Sequence, residues 1–147
     1  MRRTTQLRLY ALALVLGFAA IGRAQTFTWN NPAGGVYGTG SNWSPFGPPT
    51  TTAHTAVFSD QAVYTVTLNA NHAVGALRET GVNQKTFNAA GRTFDVLSLA
   101  LFNGNTTWNG GTLSLSAIGD VDVNGFFGTG TGTFVRARNV FVTGNAD

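Results

Sequence analysis

Residues 62–144 read AVYTVTLNANHAVGALRETGVNQKTFNAAGRTFDVLSLALFNGNTTWNGGTLSLSAIGDVDVNGFFGTGTGTFVRARNVFVTG. Short apolar or alternating segments recur in this stretch: YTVTL (64–68), TFDVLSLAL (93–101), TLSLS (112–116), GDVDV (119–123) and NVFVTG (139–144). Asparagine and glycine clusters separate them: NANH, GVNQ, NGN, NGG and GFFGTGTG. That is the pattern of many short β-strands joined by tight turns. In YTVTL the alternation puts Tyr64, Val66 and Leu68 on one face and the threonines on the other.

The segments also recur at a nearly fixed distance. Leu77, Leu97, Leu115 and Phe134 follow one another at intervals of 20, 18 and 19, and Phe87, Trp108 and Phe127 at 21 and 19. A recurrence of roughly 20 residues is what one coil of a β-solenoid gives. Stacked coils bury a continuous apolar stripe that no single coil could bury alone. The expected fold class is therefore all-β, a β-solenoid. An antiparallel β-sandwich is the alternative, because short strands with frequent turns also fit it. The apolar run from Val96 to Phe102 reads as a strand hidden on both faces, which favours parallel sheet.

Residues 1–24 read as a secretory signal peptide. Arg2, Arg3 and Arg8 open it, Leu9 to Ile21 is an apolar run, and Gly22 and Ala24 are small residues before a cleavage point between Ala24 and Gln25. That run is short of the ~20 residues that a bilayer-spanning helix needs. Removing the leader leaves Arg78, Lys85, Arg92, Arg136 and Arg138 against six acidic residues, a net charge of −1. No basic patch remains to neutralise a row of phosphates, so no nucleic acid partner is expected. The chain has no cysteine, so an exported domain must rest on its core and backbone ladders.

Residues 25–58 form a Trp/Pro/Gly-rich region, expected to cap the coils of 59–147. It holds all four prolines and two of the three tryptophans. Prolines and glycines this dense exclude a long helix or a central strand. Trp29, Tyr37, Trp43 and Phe46 are expected to pack as a lid over one end of the β region. The alternative is that Trp29 or Trp43 is exposed and stacks on a sugar ring.

Thr28-Trp29-Asn30, Gly40-Ser41-Asn42-Trp43, Pro48-Pro49, Ala56-Val57-Phe58 and Tyr64 to Leu68 follow one another in a distinctive order. Trp108-Asn109-Gly110-Gly111-Thr112-Leu113 adds a W-x-G-G-x-L unit. Together they resemble autotransporter-like and surface-exported β-helix repeat proteins of environmental bacteria. The resemblance implies a single-stranded right-handed parallel β-helix outside the cell or at its surface. It implies an exported structural or adhesive module, with no catalysis, matching the N-terminal part of such a passenger. The C-terminal barrel or sorting tail of long members is not in this sequence.

Two charged pairs are candidate site residues. Asp120 and Asp122 lie two apart and share a strand face, as do Arg136 and Arg138. Paired carboxylates with basic residues one coil away could line the groove of a carbohydrate-binding or polysaccharide-cleaving β-helix. The plainer expectation is a ladder of opposite charges on the surface, worth little energetically. His54 and His72 sit in different turns without an acidic cluster, so neither a metal nor a cofactor is expected. The strand Asn139 to Thr143 reads as an open edge, so self-association is expected there. Extracellular glycans are the other possible partners.

Overall fold

The computed structural model describes residues 24–115, 119–137, 139–142 and 145–146. The leader up to residue 23 and Arg138 lie outside the described residues. The chain winds as stacked passes, each laying strand beside strand. The passes are β1 (Gln25–Trp29) with β2 (Gly35–Val36) and the short return β3 (Trp43–Ser44), then β4 (His54–Phe58) with β5 (Tyr64–Thr67). Next come β6 (His72–Glu79) with β7 (Lys85–Asn88), and β8 (Thr93–Phe102) with β9 (Asn105–Asn109). The last two are β10 (Gly111–Leu115), β11 (Asp120–Val123) and β12 (Phe126–Thr129), then β13 (Thr133–Arg136), β14 (Asn139–Val142) and β15 (Asn145–Ala146).

The result is a parallel β-solenoid. One sheet runs β13-β10-β8-β6-β4-β1-β3, with β11 between β8 and β14; the other runs β15-β12-β9-β7-β5-β2. Every ladder among the described strands is parallel except β1 with β3, so the antiparallel sandwich is excluded. The stack reaches back to Gln25: β1 pairs with β4 and β4 with β6 in parallel register. Residues 25–58 therefore supply stacked strands as well as the aromatic end.

Register sets the true coil length. Thr28, Val57, Arg78, Leu101, Asp122 and Phe141 are successive partners, so the passes are unequal and the longest of them runs from Thr28 to Val57. Phe87 and Trp108 are register partners, as their spacing predicted. The leucine series was misaligned. Leu77 stands beside Ala100, not Leu97, and Trp108 beside Thr129, not Phe127. Leu97 is displaced because β8 bulges there: Val74 pairs with Val96 and Ala76 with Leu99, so Gly75 faces two residues. One pass later Leu115 pairs with Val96 and Asp120 with Leu99, so β10 and β11 flank the bulged residues.

Inward columns build the core. Phe27, Ala56, Leu77, Ala100 and Val121 follow one another in register, all buried. On the other sheet Val66, Phe87 and Trp108 do the same, with the rings of Phe87 and Trp108 stacked 5.1 Å apart. The run Val96 to Phe102 is not hidden on both faces. Val96, Ala100 and Phe102 are buried, while Leu97 is 38% exposed and Leu99 and Leu101 are only half-buried. Parallel pairing here comes from the coil path, not from two-sided burial.

Candidate functional site

The aromatic end is closed. Trp29 and Trp43 are cross-strand partners, 1% and 2% exposed, with ring centroids 5.2 Å apart at 90°. Trp29 Nε1 donates to the Asn31 carbonyl and Trp43 Nε1 to the Tyr37 carbonyl. Tyr37 is fully buried and donates its hydroxyl to the Pro49 carbonyl. Neither indole has a free face for a sugar, so both belong to the lid. Phe46 does not: it is 82% exposed.

Of the two charged pairs, Asp120, Asp122 and the backbone of Arg136 lie among the described residues and Arg138 does not. Asp120 and Asp122 alternate with the buried Val121 and Val123, so they share the outward face as expected. Their partners on the next pass are Asn139 and Phe141, and Asn139 Nδ2 donates to Asp120 Oδ1 at 3.0 Å. Arg136 lies in β13, which pairs with β10, so its register neighbour is Ser114, with Asp95 beyond. Arg136 therefore stands in the column of β10 and the two aspartates in that of β11, a path that the spacing of the pairs along the chain did not reveal. His54 and His72 also serve separate ring contacts, with Phe27 and Tyr37 respectively. No group of metal-ligating side chains occurs among the described residues.

The chemistry sits instead at the corner between the two sheets. Glu79 ends β6 at a core position: its register neighbours are Phe58 and Phe102. Lys85 opens β7 in the inward column of Tyr64 and Thr106. Neither side chain is exposed, and Lys85 Nζ lies 3.4 Å from Glu79 Oε1. Nζ also donates to the main-chain carbonyls of Asp60 and Asn83, at 2.8 and 3.0 Å, and lies 3.9 Å from Asp60 Oδ1. It stands 5.7 Å from the centre of the Tyr64 ring.

Glycines make room for this corner. A Cβ on Gly81 would overlap Lys85 Nζ and the Asp60 carbonyl, and one on Gly104 would overlap the Gly81 carbonyl. The close approach lets the Gly104 N–H donate to Glu79 Oε2 at 2.7 Å. Burial pushes the Glu79 carboxyl up, against the pull of Gly104 N–H and Lys85. Burial first, then the Asp60 carboxylate, push the Tyr64 phenol far up, so it stays protonated. Asp60 Oδ2, Tyr64 Oη, Glu79 Oε1 and Thr106 Oγ1 are buried and complete no hydrogen bond among the described residues.

No family model, no curated protein and no solved structure matches this chain. A sequence signal for the buried corner existed: in Lys85-Thr86-Phe87 alternation puts Lys85 on the face of Phe87, and Leu77 and Glu79 share a face likewise. A charged residue at a core position marks such a site.

Proposed function

We propose that this chain is a non-catalytic, exported structural or adhesive surface module, the N-terminal part of an autotransporter-like passenger. The observation that carries the reading is the stack itself. Successive passes repeat one core and turn outward a ladder of small polar and apolar side chains, which suits a rigid spacer. Residues 1–24 serve as the export signal. Val140, Phe141 and Val142 of β14 are 55%, 54% and 45% exposed. Val140 and Val142 continue the inward columns of Val121 and Val123. A further strand adds there, from the next pass of a longer passenger or, where this stretch stands alone, from a second copy.

The test is expression in a bacterial host with a fused phosphatase that is active only after export. Activity that depends on residues 1–24, and loss of the fused chain on protease treatment of intact cells, are expected. Cytoplasmic retention of the unprocessed chain would overturn the reading. Sedimentation of the processed chain should show concentration-dependent dimers, lost in Val140→Lys. Saturable polysaccharide binding that is lost in Asp120→Ala/Asp122→Ala would put a carbohydrate-binding role in its place.

A further inference from the structure

We propose that Lys85 and Asp60 are the two ends of an intramolecular amide cross-link, which the folded chain forms by itself with Glu79 as proton carrier. A nucleophile, a carboxyl electrophile and an acid–base group meet here at one atom. Lys85 Nζ is 3.9 Å from Asp60 Oδ1 and 3.4 Å from Glu79 Oε1. The carbonyls of Asp60 and Asn83 hold the amine in place. Such fixed proximity replaces a bimolecular encounter with an intramolecular one.

The step balances within these three side chains. The Glu79 carboxylate takes one proton from the Lys85 ammonium and passes it to an Asp60 oxygen, which turns the carboxylate into an acid that an amine can attack. The amine attacks Asp60 Cγ and the N–C bond forms. The protonated Tyr64 phenol, beside Asp60, donates to the oxyanion that develops. Glu79 then takes a second proton from Nζ and delivers it to the same oxygen. The C–O bond breaks and one water leaves, with two of the three ammonium protons. Glu79 ends as it began. Lys85 and Glu79 are fully buried while the Asp60 side chain is 26% exposed, so the water has a way out.

The cross-link would join the turn after β4 to the start of β7, tying one pass of the solenoid to the next. It would give a chain without cysteine a covalent staple.

The experiment is intact-mass spectrometry and tryptic mapping of the folded chain. The expected mass is one water below that of the sequence. Trypsin should fail to cut after Lys85 and leave a branched fragment joining the peptide that ends at Arg78 to the one that ends at Arg92. Asp60→Asn should lose ammonia instead of water. Asp60→Ala, Lys85→Met and Glu79→Gln should keep full mass while retaining a β-type circular dichroism spectrum. A folded native chain at full mass overturns the proposal without recourse to any variant. So does a water loss that maps to an unbranched peptide.

Discussion

Glu79 Oε1 and Lys85 Nζ meet 3.4 Å apart inside the solenoid, with neither side chain exposed. Removing one partner strands the other in a dry site. Lys85→Met should therefore cost ~3–5 kcal/mol in urea unfolding at neutral pH. The raised Glu79 pKa sets the sign of the pH effect. A carboxyl raised in the folded state contributes fully below its ordinary value of 4.5 and loses that contribution as pH rises through the folded value. Lys85→Met should thus come closer to the native chain on acidification. A deficit that does not change with pH would show that Glu79 is not the stranded group.

The corner glycines give a second prediction. Gly104 leaves no space for a Cβ, which would overlap the Gly81 carbonyl. Gly91 has φ +78° and nothing within 4 Å of its Cβ position. Gly91→Ala should cost only its backbone strain, about 1 kcal/mol. Gly104→Ala must push two passes apart and break the bond to Glu79, and should lower Tm by more. Equal melting temperatures for the two variants would refute the close-approach argument.

At the aromatic end, burial separates residues of similar chemistry. Trp43 touches Trp29, Tyr37 and Phe58. Trp43→Ala should cost ~3–5 kcal/mol of folding stability. Phe46→Ala, at a residue 82% exposed, should stay within about 0.5 kcal/mol. Denaturant titration of both variants checks this, and a larger loss at Phe46 would mean that it does close the lid.

His72 supplies a pH dependence of the opposite sign. Its ring lies 4.2 Å from that of Tyr37, and burial lowers its pKa below the ordinary 6.5. The unfolded chain then takes up a proton at higher pH than the folded one. Stability is full above 6.5 and falls as pH drops toward the folded value. His72→Gln should flatten the Tm profile in that window. Parallel profiles for the two chains would sink the assignment.

Much of the fold could be read along the chain, because strand alternation and turn residues are local properties. Tyr64, Val66 and Leu68 face inward as their alternation required. Phe87 and Trp108 stack because the length of a coil is written into the spacing of large side chains. What the chain in one dimension determined was its strands, its turns and its approximate repeat. Register was decided in three dimensions: a bulge at Leu97 and Ser98 shifts the pairing of β6 with β8. Register sets Asp122 beside Phe141 and Arg136 beside Ser114, where spacing alone had paired acids with arginines. Asp60, Glu79 and Lys85 meet at one corner. Their meeting depends on how two sheets close around a turn, and closure is a property of the stacked coil that no single segment carries.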